Sequence, residues 1–195
     1  MALDSTLLAA GTRPIAKFTV NTNGTGTVAW KQAMVEITMS GATGPALSAF
    51  SIFDVTGGAN TQVAAAETIQ QASDSGTATT CDTEDESCEL LILVGVTIDD
   101  NVEETVSSSK TYEIRATVGG SIGTGDFVSA SIETYLGHVS NAIADTNEND
   151  TTVNDTTFLW SDMSTASHDT GTADWTNDNL LKVLPTSTWT LLPPT

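Results

Sequence analysis

The stretch TVAWKQAMVEITM, residues 27–39, decides the fold class of this chain. Its apolar side chains recur at every second position within each half, with Val28 and Trp30 in the first half and Val35, Ile37 and Met39 in the second. A period of two is typical of a strand with one face in a core, because successive side chains of an extended chain point to opposite faces. The stretch therefore predicts a long β-strand.

Similar runs of β-branched and apolar residues recur along the chain, separated by Gly, Asn, Asp and Ser at roughly ten-residue intervals. These runs are 13–20, 46–55, 61–66, 89–98, 111–118, 127–136, 156–160, 180–184 and 188–192. The pattern predicts an all-β protein, a single antiparallel β-sandwich of immunoglobulin-like type with about nine strands. We expect the sandwich to span residues 13–195, after an N-terminal extension at residues 1–12.

The composition is strongly acidic, because 25 Asp and Glu residues against 6 Lys and Arg give a formal net charge of −19. Binding to nucleic acid depends on Lys and Arg displacing counterions, so nucleic acid and anionic membrane surfaces are poor partners. The longest apolar run, residues 90–98, is too short to cross a bilayer. Self-repulsion of the acids destabilises a compact state unless salt or bound cations such as calcium screen it. Alternatively, the acids only keep the surface soluble.

The two cysteines, Cys81 and Cys88, enclose six residues of which four are acidic. Neighbouring carboxylates disfavour a reactive thiolate, and a zinc site would need further ligands. We therefore predict a local disulfide between Cys81 and Cys88, which indicates an oxidising setting outside the cell or at its surface. Residues 1–10 do not form an intact signal peptide, so either the chain is cytosolic or a leader has been removed.

A polar loop between Trp160 and Trp175 contains the residue types of a serine hydrolase. The members in question are Ser164, Ser167, His168 and Asp169. Nucleophilic catalysis requires a serine held against a base that a third group orients, and separate elements of a fold supply that geometry. Residues of one loop do not supply it, so we predict no enzymatic activity. We expect Trp160 and Trp175 to anchor the loop by burying their rings.

A second motif, GGSIG at residues 119–123, fits the G-x-S-x-G pattern with Ser121 as the nucleophile. The pattern has catalytic meaning only between a strand and a helix. Because a strand-like run follows it here, we expect a glycine-rich hairpin loop instead.

Calcium is the cofactor for which the sequence offers ligands. Oxygen donors stand at alternate positions, as at the start of a calcium-binding loop, at Asp145, Asn147 and Asn149. An EF-hand is excluded, because its sixth position is Asp150 in place of glycine and its twelfth is Thr156 in place of glutamate. A looser calcium site and an exposed polar loop both stay open. The acidic run DDNVEE, residues 99–104, is a weaker candidate.

The closing segment FLWSDMSTASHDTGTADWTNDNLLKVLP, residues 158–185, resembles the end of large cell-surface or surface-layer-like proteins of uncultivated candidate-phyla bacteria. The shared pattern is F-x-W-S-D-x-S-x-x-x-H-x-T-x-T-x-D-W-T-N-x-x-L-x-K-x-L-P. Residues 7–38 are similar to the first strands of the same proteins. The resemblance implies an exported β-sandwich on a cell envelope or appendage. It implies no enzyme chemistry at the shared residues Trp160, Ser161, Asp162, His168, Asp174, Trp175 and Asn177.

The leading segment carries Leu3, Leu7 and Leu8, and Gly11 separates it from the first predicted strand. A terminal segment frays unless something holds it. It either packs within its own domain or adds as a strand to a neighbouring copy, and the second arrangement, repeated head to tail, builds a filament. We predict a structural subunit of an extracellular filament, sheath or surface layer, a homopolymer in which these leucines contact the next subunit.

Two other functions fit the sequence. A secreted glycan-binding or adhesion module would stack exposed Trp175 or Trp189 on sugar rings. A viral coat or decoration protein would share the acidic β-sandwich.

Overall fold

The computed structural model describes residues 7–22, 24, 26–40, 44–64, 67–71, 74–78, 80–81, 87–94, 102–132, 158–169, 172–176 and 188–193, with the backbone alone at Met34 and between 64 and 93. Within these residues the regular structure is β-strand, apart from one 3-10 turn at Thr56–Gly58. The strands are β1 (Gly11–Asn21), β2 (Val28–Met39), β3 (Pro45–Asp54), β4 (Thr61–Ala64), β5 (Glu67–Gln71), β6 (Asp74–Ala78), β7 (Thr80–Cys81), β8 (Ser87–Leu93), β9 (Glu104–Val106), β10 (Ser109–Gly120), β11 (Val128–Ile132), β12 (Phe158–Ser161), β13 (Trp175–Thr176) and β14 (Trp189–Leu191).

The strands form two sheets with antiparallel ladders, which confirms the predicted all-β class. The first sheet has the order β1-β10-β3-β4, and β7 also pairs with β3. The second has the order β13-β12-β2-β8-β5-β6, in which β9 and β11 also pair with β2, and β14 pairs with β11. The immunoglobulin-like topology stays a prediction.

Strand β2 organises the second sheet because four other strands pair with it. One of its edges pairs with β12 and then β11, and the other with β9 and then β8. The partners skip one residue of β2: Trp160 lies opposite Trp30, and Leu159 lies opposite Gln32. Lys31 is therefore the extra residue of a β-bulge. This bulge explains why the apolar positions change from even to odd numbers within the stretch.

The two sheets share one hydrophobic core centred on aromatic rings. Phe18 and Tyr112 come from the first sheet, whereas Trp30 and Phe158 come from the second. The ring centroid of Trp30 lies 5.6 Å from that of Phe18 and 5.0 Å from that of Tyr112, both in edge-to-face geometry. Such pairs contribute about 0.5–1.5 kcal/mol each beyond the area they bury. These contacts fix the spacing of the two sheets.

A buried ion network joins β1 to β10. Lys17 lies opposite Glu113, with Nζ 3.3 Å from Oε1. The other carboxylate oxygen of Glu113 accepts hydrogen bonds from Arg115, at 2.7 Å from Nη2 and 3.0 Å from Nε. Glu113 is 4% exposed, so its charge depends on these two cations.

The structure differs from the sequence prediction in several elements. The short strands β5, β6, β7, β9 and β13 were not predicted, and the predicted strand at 180–184 lies outside the described residues. The hairpin expected at residues 119–123 is wrong, because β10 belongs to the first sheet and β11 to the second. The connection crosses between sheets and begins at Gly120, whose φ is 78°. A side chain there would place its Cβ 2.6 Å from the carbonyl oxygen of Gly44.

Candidate functional site

The hairpin of β12 and β13 carries a small buried cluster that is separate from the main core. Trp175 and Leu159 are fully buried but do not belong to the main core. Lys31 is 1% exposed, and its Nζ lies 5.7 Å from the centre of the Trp175 ring. The bulge at Lys31 thus directs its side chain toward Trp175. Trp175 of the hairpin and Lys31 of β2 therefore pack together outside the main core.

Asp174 is the centre of the polar contacts in this hairpin. One of its carboxylate oxygens, Oδ2, accepts a hydrogen bond from Ser161 Oγ at 2.9 Å and lies 2.8 Å from His168 Nδ1. The other, Oδ1, accepts a hydrogen bond from Thr172 Oγ1. Burial raises the pKa of Asp174, but the hydrogen bonds from Thr172, His168 and Ser161 outweigh it and lower the pKa to about 2. The carboxylate is thus held in its charged form.

His168 lies between two carboxylates that come from different parts of the chain. Its Nδ1 faces Asp174, and its Nε2 lies 2.9 Å from Oε2 of Glu103, just before β9. The imidazole stacks on the indole of Trp175 with a centroid distance of 5.1 Å. Burial lowers the pKa of His168, but the contacts with Glu103 and Asp174 outweigh it, so the pKa lies above its ordinary value.

Local hydrogen bonds give the loop its shape. The indole Nε1 of Trp175 donates to the carbonyl oxygen of Asp169 at 2.9 Å. Met163 has a φ of 54°, and its N–H donates to Ser161 Oγ. A positive φ is unfavourable for a residue with a side chain, so it persists only where surrounding contacts fix it. Trp160, the other predicted anchor, is half-buried and lies opposite Thr176 of β13.

The cluster brings together a serine, a histidine and an aspartate, but not in the arrangement of a hydrolase. Ser161 is fully buried and donates to Asp174, not to His168. A nucleophilic serine needs a base to accept its proton, and both nitrogens of this imidazole face carboxylates. Ser164 and Ser167, considered from sequence, are exposed. The arrangement can fix the loop and hold a proton.

The leading segment forms a second candidate site at the edge of the second sheet. Leu7 forms a parallel bridge with Leu192, just after β14, and the N–H of Leu8 donates to the carbonyl of Leu192 at 2.7 Å. Leu8 is 0% exposed and belongs to the main core. Leu8 therefore packs with the strands of the sandwich although it precedes residue 13, and β1 begins at Gly11.

Leu8 was expected to contact a neighbouring subunit, and in this structure it packs within its own chain. Burying a leucine stabilises a fold by about 1.5–3 kcal/mol, which accounts for this position. Leu7 and Leu192 stay 39% and 56% exposed side by side. Leu3 lies outside the described residues.

Several other predicted residues lie beyond what the structure describes. The calcium candidates Asp145, Asn147 and Asn149 lie outside the described residues. In the part of the chain that is described, no group of three or more His, Cys, Asp or Glu residues is placed to hold a metal ion. Of the weaker acidic run, Glu103 contacts His168, and Glu104 contacts Lys110 and accepts a hydrogen bond from Tyr112.

The predicted disulfide also stays a prediction. The backbone places Cys81 opposite Leu47 in the first sheet and Cys88 opposite Ile37 in the second. Their side chains lie outside the described part.

The tryptophans that were expected to stack on sugars are not exposed. Trp175 is 0% exposed and Trp189 is 4% exposed. Stacking on a sugar ring requires an accessible indole face. Neither of these two tryptophans offers one, so neither can bind a sugar in the way the glycan-binding alternative requires.

Sequence reasoning missed two members of the loop cluster. Glu103 precedes His168 by 65 positions, and it was considered only as a calcium ligand. Lys31 stands among apolar residues in β2, which is the signal that its surroundings are unusual. The structure buries this lysine against Trp175 of the β12–β13 hairpin.

Comparison of the chain with protein-family models, with curated proteins and with solved structures found no match. Among the described residues, no helix has the length and apolar character to cross a membrane. The resemblance to cell-surface proteins stays a prediction.

Proposed function

We propose that this protein is a structural subunit of an extracellular filament, sheath or surface layer, and that its subunits assemble by exchanging their N-terminal strand. The observation that carries the proposal is the contact of Leu7 and Leu8 with Leu192. The segment makes one β-bridge and one backbone hydrogen bond to Leu192, buries Leu8 fully, and is joined to β1 by Ala9 and Ala10.

Exchange of this strand costs little in contact energy. The next copy can supply the same hydrogen bond and the same leucine, so the contacts within one chain and those between chains are alike. Gly11 has a φ of 100° at the point where the chain leaves the second sheet for the first. This conformation requires glycine, and a change of backbone angles at that residue redirects the whole segment. Nε of Arg13 donates to the carbonyl of Ala9 at 3.2 Å, which orients the segment in the closed form.

The surface around the exchanged strand also suits a second copy of the chain. Of the described residues, Leu7, Val102 and Leu192 are the exposed large apolar side chains, and two of them are neighbours at the bridge. An exposed apolar pair at the edge of a sheet is typical of a contact surface.

The acidic surface sets the conditions for assembly. The basic residues of the described part make contacts inside their own chain: Arg13, Lys17, Lys31, Lys110 and Arg115. Subunits with a net charge of −19 repel one another unless salt or calcium screens them. The extracellular location rests on the resemblance of residues 158–185 and on the predicted disulfide. We expect assembly to require moderate salt or millimolar calcium and to be reversed by a chelator where calcium is the cation.

A covalent lock on the strand tests the proposal. In a chain with Cys81 and Cys88 both replaced by serine, Leu7→Cys with Leu192→Cys places two thiols at bridged positions. The monomer is oxidised in dilute solution and then concentrated in salt and calcium. We expect no filaments or sheets in negative-stain microscopy, because the strand cannot leave its own chain. Adding a reductant should restore assembly.

The matched controls are the two single-cysteine chains, which cannot close the lock within one monomer and should assemble at a rate independent of reductant. The proposal fails if the locked monomer assembles as fast as the reduced one. It also fails if the unmodified chain stays monomeric at all salt and calcium concentrations tested.

A further inference from the structure

We propose that His168 is a proton-dependent latch, which joins the β12–β13 loop to the segment before β9 when the imidazole is charged and releases Glu103 when it is neutral. The latch is independent of the assembly proposed above. It involves other residues and can be tested on the monomer.

The contacts of the imidazole define the closed latch. Nδ1 lies 2.8 Å from Asp174 Oδ2, and Nε2 lies 2.9 Å from Glu103 Oε2. A neutral imidazole has one N–H, whereas the imidazolium has two. Carboxylates accept hydrogen bonds and cannot donate them, so only the imidazolium satisfies both contacts. The closed latch therefore holds one proton more than the open latch does.

Loss of this proton releases one carboxylate, and the surroundings decide which one. The side chain of Asp174 is 1% exposed and also accepts hydrogen bonds from Ser161 and Thr172, both of the same hairpin. The side chain of Glu103 is 18% exposed and comes from another segment of the chain. Glu103 can turn toward water, whereas Asp174 cannot. The contact with Glu103 is thus the one that opens.

Other charged groups near the latch do not change which of the two carboxylates is released. Lys31 on β2 has its Nζ over the ring of Trp175, on which His168 stacks, and its positive charge opposes protonation of the imidazole. Within the loop, Asp169 adjoins His168, and Asp162 accepts a hydrogen bond from the N–H of Ser164. In the segment that leads into β9, Glu104 contacts Lys110. The two carboxylates in direct contact act most strongly, in agreement with the raised pKa of His168.

The pH dependence has a definite sign. A histidine with a raised pKa in the folded state stabilises that state fully below the pKa of the unfolded chain, about 6.5. This stabilisation is lost as the pH rises through the folded pKa. The loop is therefore held most firmly in mildly acidic solution and is released as the pH rises through the raised pKa of His168.

NMR titration of the full chain tests the latch. The chain has two histidines, and a His138→Gln variant assigns their ring signals. We expect the midpoint of His168 to lie above that of a free TASHDTG peptide, residues 165–171, which has the same neighbours in sequence. The indole N–H signal of Trp175 should shift with the same midpoint. In Glu103→Gln the His168 midpoint should move down toward the peptide value, whereas Glu36→Gln, an exposed change on β2, should leave it in place.

Hydrogen exchange supplies a readout of the release itself. After correction for the intrinsic pH dependence, amides of 162–169 should lose protection as the pH passes the His168 midpoint, and those of β2 should not. The latch is overturned if His168 titrates at or below the peptide value, if Glu103→Gln leaves its midpoint unchanged, or if protection of the loop does not follow the midpoint.

Discussion

Replacing Leu8 with alanine should strongly destabilise the chain, although the residue lies near the N-terminus. Leu8 is 0% exposed and sits in the main core, so the change removes buried methyl groups and leaves a cavity. Substitutions of this kind cost about 2–5 kcal/mol, and because every 1.4 kcal/mol corresponds to a factor of ten, the unfolding equilibrium should shift at least about thirtyfold. The neighbouring Leu7 is 39% exposed, and Leu7→Ala should cost clearly less.

Urea unfolding followed by tryptophan fluorescence measures both changes. In both variants the free energy of unfolding should fall with urea concentration at the same slope as in the unmodified chain, because the area exposed on unfolding is unchanged. The midpoints of the unfolding transitions should differ, because the stabilities differ. The midpoint of Leu8→Ala should be the lower one. If Leu8→Ala lowers the midpoint no more than Leu7→Ala, the leading segment is not part of the core, and the account of the terminal contact is wrong.

Other perturbations test the fold and the loop cluster separately. Gly120→Ala should destabilise the chain by at least about 1 kcal/mol, because its φ is 78° and a Cβ would lie 2.6 Å from a backbone oxygen. The control Gly119→Ala, whose Cβ would meet nothing closer than 4.0 Å, should leave the melting temperature nearly unchanged. Equal melting temperatures of the two variants would contradict the close approach at Gly120. Glu113→Gln should lower the free energy of unfolding by about 3–5 kcal/mol in urea, because it removes the buried carboxylate charge that Lys17 and Arg115 contact. The exposed Glu36→Gln should not, and equal midpoints would contradict the buried network. Asp174 ionises with a pKa of about 2 in the folded chain and about 3.9 when unfolded. Its contribution to the free energy of unfolding is therefore present above about pH 4 and is lost as the pH falls toward 2. Asp174→Asn should therefore lower the urea midpoint at pH 7 and reduce its acid dependence between pH 4 and 2, and an unaltered acid dependence would refute the assignment.

The long strands were predictable because each carries its own pattern. Within residues 27–39, alternation of apolar side chains indicates a strand. The bulge at Lys31, where the alternation changes phase, was not predicted. Short strands such as β9 and β13 carry no pattern of their own, since two or three residues do not establish a period. They form because a longer neighbour offers backbone partners.

The candidate site was less predictable, because its contacts join distant parts of the chain. Neither Glu103 nor His168 has a local feature that indicates the other. The pairing depends on how the second sheet brings β9 and β12 to opposite edges of β2. Likewise, the sequence left open whether Leu8 packs within its own domain or in another, because burial of a leucine is equally favourable in both.

Exchange of the N-terminal strand is tested most directly with two chains that cannot form the contact within themselves. One carries Leu7→Cys and the other, of different length through a tag, carries Leu192→Cys, both with Cys81 and Cys88 replaced by serine. After mixing under assembly conditions and oxidation, a non-reducing gel should contain a cross-linked product of the two different chains. If that product is absent while the double variant closes readily within one chain, the strand stays in its own subunit and the proposed assembly is contradicted.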